Sequence, residues 1–500
     1  VNPLPIAEWL AAELGPIAPK AHRSKRSATP RYRLLYDALR RAILSGQLPA
    51  GERLPSTREL ALDLKLSRNT VVTAFDQLIA EGYIVTLTGS GTFVAGRVQG
   101  QCPPVAKSAL AGRRLVLSAR GERLIATDPA ITQEIQPFVP GIDDFSSFPA
   151  KLWQRLHNRH WREAKSELFD YGIGGGYTPL REAIARYVSL TRSVQVSPEQ
   201  VLITPGTQHS ILLCASLLAN AGDLAWVEDP GYWGARKSLG ATDLLLRPIA
   251  VDDEGLNPSP ADLGTRPRLI YVTPSHHYPT GAVMSLSRRQ ALLEFAGQSG
   301  AWVLEDDYDS EFRYSGRPIS SLQGLDSHDC VIYLGTFSKT LFPGIKLAYM
   351  TVPPGMAEAF KSALYDLQRP GQMMTQATLA DFIAQGHFAT HMRKLRQIYG
   401  TRREILVKTL RPIISSLATI SRNASGQHLL IELPASSNDV ALAALAATEG
   451  LVLRPLSSYY LGEQQRKGLL VGFAYVPTPE IARHARRLGE VIRRGMRSYG

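Results

Sequence analysis

The residues with the most chemistry in their spacing lie in the second half of the chain. Lys339 stands in Tyr333-Leu-Gly-Thr-Phe-Ser-Lys-Thr-Leu-Phe-Pro-Gly344, on a turn after a run that reads as a buried strand. Its neighbours, Ser338 among them, are small or hydroxylated, and an amine so placed can form an imine with an aldehyde. Upstream, Ala301-Trp-Val-Leu-Glu-Asp-Asp-Tyr308 is a second buried strand, ending in acids. Carboxylates at the C-terminal end of a parallel strand face the ligand crevice. There Asp306 can hold the proton of a pyridinium nitrogen, and Tyr308 can donate to a phenolate oxygen. Glu305 and Asp307 read as structural, through caps or ion pairs. Ile203-Thr-Pro-Gly-Thr-Gln-His-Ser210 is a strand, a glycine turn and a helix start. Backbone N–H groups at that terminus, with Thr207 and Gln208, make a cup for phosphate. Glu228-Asp-Pro-Gly-Tyr232 puts Tyr232 after a strand-ending turn, where its ring can stack on a flat ligand. An amine, an acid for a ring nitrogen, a phosphate cup and a ring stacker are what pyridoxal phosphate (PLP) requires.

These parts must be positioned by a scaffold. Beyond Pro137, strand and helix patterns alternate to the C-terminus, which predicts an α/β domain with a mostly parallel sheet. Residues 97–135 lack steady periodicity and include Cys102-Pro-Pro104, so they read as a linker with some helical content. Ahead of them, Tyr32 to Leu44 is an amphipathic helix with Leu35, Leu39, Ala42 and Ile43 on one side. Ser56 or Thr57 caps a short helix, Arg58 to Leu64. Ser67 caps a longer one, Arg68 to Glu81, with Val71, Phe75, Leu78 and Ile79 inward. Tyr83 to Leu87 and Thr92 to Ala95 form a hairpin around Thr88-Gly-Ser-Gly91. Helix, helix, turn, helix, hairpin is a winged helix-turn-helix. The expected organisation is an extension at 1–28, a winged helix at 29–96, a linker at 97–135 and a PLP-binding domain at 136–500.

Five hundred residues exceed one hydrophobic core, so more than one domain is expected. Between Lys20 and Arg68 twelve basic residues face four acidic ones, a local balance of +8 that suits a polyanion. Arg68 can pair with guanine and Asn69 with adenine, while Thr57 and Arg58 open the preceding helix toward the DNA backbone. A second basic run, Arg483 to Arg497, reads as the outer face of a terminal helix. Cys102, Cys214 and Cys330 show no metal-ligand spacing, and no metal site is expected; a reducing cytoplasm is. Glu8 and Glu13 interrupt the apolar stretch from Ile6 to Leu14, so neither a signal peptide nor a membrane anchor is expected.

Three segments carry a family resemblance. Ala42-Ile-Leu-Ser-Gly-Gln-Leu-Pro-Ala-Gly-Glu-Arg-Leu-Pro-Ser-Thr-Arg-Glu-Leu60, Leu66-Ser-Arg-Asn-Thr-Val-Val72 and Gly82-Tyr with Gly89-Ser-Gly-Thr-Phe-Val94 resemble the GntR-family winged-helix domain. Position by position, the resemblance implies DNA contacts at Thr57, Arg58, Ser67, Arg68, Asn69, Thr70 and Gly89. From Pro137 on, with Gly176-Tyr-Thr-Pro-Leu-Arg-Glu182 and Pro279-Thr-Gly281 added, the chain resembles a fold-type I PLP-dependent aminotransferase. Glu305-Asp-Asp-Tyr-Asp-Ser-Glu-Phe-Arg-Tyr314 followed by Gly335-Thr-Phe-Ser-Lys339 narrows this to the MocR-type regulators. The resemblance implies a regulator rather than a working enzyme. Its partners would be operator DNA and an amino-compound effector or PLP itself. It would act as a head-to-tail homodimer. Two departures stand out. Tyr278 occupies the place of an asparagine before Pro-Thr-Gly, where Ser275 or His276 can substitute. Lys346 replaces a phosphate-binding arginine, so it offers a point charge but no bidentate fork. The stretch Gly468-Leu-Leu-Val-Gly-Phe-Ala474 has Leu470 and Val471 where related aminotransferases carry a carboxylate-binding arginine. Arg454 is the nearest replacement, unless it serves a structural ion pair.

Overall fold

The computed structural model describes residues 6–14, 29–96, 116–125, 135–172, 174–316, 319–369, 371–421 and 425–499. Lys20, Lys25, Arg26 and Cys102 lie outside the described residues. The chain divides into two compact units, residues 1–116 and 117–500. Among the described residues no helix is long and apolar enough to cross a membrane.

The smaller unit has helices Ile6–Leu14, Arg31–Leu44, Thr57–Asp63 and Arg68–Ala80. Its three strands, β1 (Arg53–Leu54), β2 (Ile84–Leu87) and β3 (Gly91–Val94), form a sheet of order β1-β3-β2. Local chemistry sets the helix starts. Ser56, not Thr57, caps the helix Thr57–Asp63: its Oγ accepts from the Glu59 N–H at 3.2 Å, and the Glu59 carboxylate accepts from the Ser56 N–H at 2.9 Å. Ser67 Oγ accepts from the Thr70 N–H at 3.2 Å and so starts the helix Arg68–Ala80. Leu35, Leu39, Ala42, Ile43, Val71, Phe75 and Leu78 are buried as expected. Ile79 is not: it is 40 % exposed, and Ala74 completes the inward stripe at the 71, 74, 75, 78 spacing of a single helix face. The stretch from Leu48 to Pro55 reads in sequence as a turn-rich connector, yet within it Arg53–Leu54 pairs with β3. The helix Ile6–Leu14 adds Leu10, fully buried, to this core, and Glu13 pairs with Arg41 at 3.3 Å.

The larger unit is built on an eight-stranded sheet of order β4-β11-β10-β9-β8-β5-β6-β7. The strands are β4 (Val201–Thr204), β5 (Leu224–Asp229), β6 (Leu245–Asp252), β7 (Gly255–Leu256), β8 (Leu269–Val272), β9 (Trp302–Asp307), β10 (Val331–Thr336) and β11 (Ala348–Thr351). The run β6-β5-β8-β9-β10 is parallel, while β11 is antiparallel to both its neighbours. A second, four-stranded sheet is antiparallel: β12 (Thr419–Ile420), β13 (His428–Leu433), β15 (Lys467–Gly472) and β14 (Arg454–Pro455), in that order. Its two long strands, β13 and β15, are almost wholly buried and helices intervene, so their sequence pattern does not differ from that of a parallel strand. In the stretch expected to be a linker, the helix Ala119–Ile125 falls within the larger unit; it buries no residue, and Arg120 and Arg123 reach Asp243 at 3.0 and 2.9 Å. In the terminal helix Thr478–Tyr499, Arg483, Arg486, Arg493 and Arg497 are exposed while Leu488 and Ile492 are buried.

Three successive acids end β9, and all are buried. Side chains alternate along a strand, so Glu305 and Asp307 share one face and Asp306 takes the other. Glu305 accepts the N–H groups of Leu322 (2.8 Å) and Gln323 (2.9 Å). Asp307 accepts from Arg192 Nε (2.7 Å), the Tyr333 hydroxyl (2.6 Å) and Ser310 Oγ (3.0 Å). Arg192 also donates to Ser275 Oγ and the Ile319 carbonyl. Removing one partner of a buried ion pair strands the other charge, at a cost of about 3–5 kcal/mol. Arg192→Ala should therefore lower the unfolding free energy of the large unit by about that amount in denaturant titration. A loss below about 1 kcal/mol would show that water reaches Asp307 and that the pair is not structural.

Candidate functional site

On the smaller unit, Arg68 and Asn69 are exposed in the first turn of the helix Arg68–Ala80. Thr57 and Arg58 open the preceding helix, with Arg58 exposed and Thr57 half-buried. The Ser67 and Thr70 hydroxyls lie 2.7 Å apart, so part of their hydrogen-bonding capacity serves the cap. Gly89 is exposed at the hairpin tip with φ +78°, a left-handed conformation that glycine adopts without strain. The unit thus offers helix N-termini, two exposed cationic side chains and a small wing tip, parts that a DNA groove accepts.

On the larger unit, a cavity of about 320 Å³ opens at the C-terminal ends of the parallel strands. Thr207 and Gln208 enter it from the N-terminus of the helix Thr207–Leu218, where N–H groups have no intrahelical acceptor. Tyr232 comes from the turn after β5, Asp306 and Tyr308 from the end of β9, and Ser338 and Lys339 from the turn after β10. Lys346 enters just ahead of β11, and Arg454 from β14 of the second sheet. The structure thus brings together all nine residues singled out for cofactor and effector.

Their hydrogen bonds define what the cavity can hold. Asp306 Oδ2 accepts from the Tyr271 hydroxyl at 2.6 Å, while Oδ1 is buried without a partner. Burial pushes this carboxyl up to about 7, so a cationic N–H in the cavity would satisfy the vacant oxygen and restore the charge. A pyridinium fits that description. Lys339 Nζ donates to the Gly141 carbonyl at 2.7 Å. Ser275 is turned to Arg192 and does not line the cavity, so it cannot replace the missing asparagine. His276 does not line it either, but its Nδ1 lies 3.1 Å from the hydroxyl of Tyr308, which does, and 3.0 Å from Asp309 Oδ2, so it can act on the cavity through that tyrosine. Arg454 sits opposite Leu470 in the β14–β15 register, across from the position where an arginine is lacking. Among the described residues no carboxylate lies within ion-pair distance of it, which removes the structural ion pair; it bonds the Tyr459 and Tyr278 hydroxyls, and its buried Nε has no partner.

Other residues join the site without having been foreseen. Gln427 Nε2 donates to Asp143 Oδ1 at 2.7 Å and to the Lys339 carbonyl at 3.0 Å. His428 lines the cavity, donates Nε2 toward the Pro279 carbonyl at 3.2 Å and is held neutral by burial. His276, Asp309 and His428 bring ring nitrogens and carboxylate oxygen within 4.8 Å of one another. The available signals were Pro140-Gly-Ile-Asp-Asp144 and Ser425-Gly-Gln-His428, polar stretches beside apolar ones.

Comparison with known proteins matches both units. The family model for bacterial regulatory proteins, gntR family, covers residues 31–94, and that for aminotransferase class I and II covers residues 143–488. The chain is 40 % identical over 451 residues to the probable rhizopine catabolism regulatory protein MocR of Rhizobium meliloti, covering 89 % of this chain and 90 % of that one. It is 31 % identical to the pyridoxine biosynthesis transcriptional regulator PdxR of Corynebacterium glutamicum, covering 88 % and 91 %. Among solved structures, the α-aminoadipate aminotransferase LysN of Thermus thermophilus superposes with a TM-score of 0.69 at 26 % identity, over 76 % of this chain and 98 % of its own.

Four buried carboxyls of this region are raised by desolvation: Asp143, Glu305 and Asp306 to about 7, and Glu228 to about 8. An unfolded chain releases those protons near pH 4. The native state therefore holds protons that the unfolded state has lost, and that contribution disappears as pH rises through 7 to 8. Histidines held neutral by burial, such as His277, lowered to about 3, oppose this only at acid pH, below about 6.5. Without ligand, the thermal midpoint of the large unit should fall from about pH 6.5 to about pH 8.5. A midpoint that rises over that window in a calorimetric scan would show that these carboxyls are ionised in the native state.

Proposed function

Since the chain belongs to the MocR-type regulators of the GntR family, DNA-binding proteins with a fused aminotransferase-like domain, we propose that its large domain holds PLP and senses an amino compound or PLP itself. The observation that carries this reading is the unpartnered Oδ1 of Asp306, buried in the same cavity that Lys339 enters. PLP, when bound, supplies an aldehyde that captures amines and a ring that withdraws electrons. Lys339 is its attachment point and Asp306 the acceptor for its ring nitrogen. Thr207, Gln208, Ser338 and the helix N-terminus take the phosphate, with Lys346 as a single charge. Tyr232 stacks on the ring, and Tyr308 donates to the phenolate oxygen.

Arg454 is the anchor for an effector carboxylate. It is a mostly buried cation with neutral partners only, so a bound anion completes it. An amine held at Lys339 and a carboxylate at Arg454 describe an amino acid or a close analogue. The names of two relatives refer to rhizopine catabolism and to pyridoxine biosynthesis. A ligand whose binding free energy differs between two domain arrangements changes DNA affinity by linkage. On the smaller unit, Arg68 and Asn69 read bases, while Thr57, Arg58, Ser67, Thr70 and Gly89 contact the backbone. The working form is a head-to-tail homodimer.

Lys339→Ala should abolish the visible absorption of PLP-loaded protein after dialysis without unfolding it. Arg454→Gln should keep that absorption but weaken the spectral response to carboxylated amines at least about tenfold, the loss of one charge-assisted hydrogen bond. Retention of the band in the lysine variant would place the attachment elsewhere, and repeated keto-acid release by the wild type would mark an enzyme rather than a sensor.

Arg68→Ala should weaken binding to the operator by about 1–3 kcal/mol and relax selectivity at one base pair, leaving random duplex nearly untouched. Equal losses on operator and random DNA, in titrations at matched salt, would assign Arg68 to phosphate contact instead.

A further inference from the structure

Tyr278 replaces an amide, and its hydroxyl is engaged away from Tyr308: it lies 2.8 Å from the Tyr459 hydroxyl and bonds Arg454. The Tyr308 hydroxyl instead meets His276 Nδ1 at 3.1 Å, and the same nitrogen meets Asp309 at 3.0 and 3.1 Å. A carboxylate only accepts hydrogen bonds, so the proton of that pair belongs on Nδ1. With Nδ1 a donor, the Tyr308 oxygen accepts, and the Tyr308 hydrogen is left to point elsewhere. Tyr308 lines the cavity, as do Asp309 and His428.

The arrangement is held from behind. Gly426, at φ +74°, lays its backbone on the pair: a Cβ there would stand 1.9 Å from His276 Cε1 and 2.8 Å from Asp309 Oδ2. Its N–H donates to the Phe312 carbonyl at 2.8 Å, and its carbonyl accepts from the Tyr314 hydroxyl. The His428 ring packs 5.1 Å from that of His276. Six titratable groups from several elements face Tyr308 or His276: Asp306 and Asp309 at and beyond the end of β9, Glu228 on β5, His428 on β13, and His277 and Tyr278; Lys339, beyond β10, faces His428.

Building on the PLP reading above, we propose that His276 and Asp309 are positioning residues that replace the missing amide by acting through Tyr308. They orient its hydroxyl as the donor to the cofactor's phenolate oxygen. By doing so they set the proton affinity of the link between Lys339 and the cofactor. A donor on that oxygen lowers its own attraction for the proton of the link, so removing the donor raises the pH at which the link deprotonates.

The test is a pH titration of the visible spectrum of the full-length, PLP-loaded protein. Tyr308→Phe, His276→Phe and Asp309→Asn should each raise the midpoint by about one pH unit, the worth of one hydrogen bond to a charged group. In the Tyr308→Phe background, His276→Phe should add less than about 0.3 of a unit, since its effect passes through the tyrosine. Asp309→Asn, nearly isosteric, carries the test should the histidine variant fail to fold. Unmoved midpoints in both the His276 and Asp309 variants, or a His276 shift that adds in full to that of Tyr308→Phe, would overturn the proposal while leaving the PLP reading intact. A wild type that shows no visible band at all overturns the PLP reading, and the proposal with it.

Discussion

Burying carboxylates side by side is the constraint on which the large unit is organised. Glu305, Asp306 and Asp307 end the central strand β9 with hardly any exposure. Isolated charges in such a place cost far more than the net stability of a domain, so each needs partners of its own. Strand alternation divides the task. Glu305 and Asp307 draw in the amides of Leu322 and Gln323, the guanidinium of Arg192 and the Tyr333 hydroxyl, and so tie helix and loop to the sheet. Asp306, on the other face, has only Tyr271 and keeps an oxygen for whatever enters the cavity. Structure and site are thus two faces of one strand end.

The cavity draws on both sheets of the large unit. Lys339, Thr207, Tyr232 and Asp306 stand at the ends of the eight-stranded sheet, while Arg454 and His428 come from the four-stranded one. A ligand held at Lys339 and at Arg454 would join the two sheets, which is where ligand free energy can favour one arrangement over another. Gln427 already links them, bonding the Lys339 carbonyl and Asp143. Tyr278 and Tyr459 surround Arg454 with neutral oxygen, so its charge is solvated but not cancelled. That is the environment an anion site needs and a structural ion pair lacks.

The DNA-binding head was legible because its determinants are local. Caps at Ser56 and Ser67, a glycine hairpin and an amphipathic period act within a few residues of one another. Where the reading missed, packing decided the outcome. Ile79 has the apolar character of a core residue, yet the helix face already closes with Ala74 and Leu78. Arg53–Leu54 becomes a strand only because β3 comes to lie beside it.

In the large unit, residue type and order were enough to mark Lys339, Asp306, Tyr308, Tyr232, Thr207 and Gln208 as candidates, since each stands at or just beyond a strand end, which dictates where it points. Arg454 was left between two roles, and only the folded chain shows that, among the described residues, no carboxylate comes within ion-pair distance of it while two tyrosine hydroxyls do. Ser275 and His276 were equal as neighbours in sequence. Only packing turned one toward Arg192 and the other toward Tyr308 and Asp309. Gly426, Gln427 and Asp143 stood in polar stretches that named no partner, because their roles rest on contacts with residues far away along the chain. The sequence by itself determined which chemical groups stand at strand and helix ends, for those depend on short-range periodicity and capping. Tertiary structure alone decided which of these groups share a cavity and which carboxylate oxygens, Asp306 Oδ1 in the cavity and Asp143 Oδ2 and Asp307 Oδ1 besides, are left without partners, because both depend on chain segments that meet only on folding.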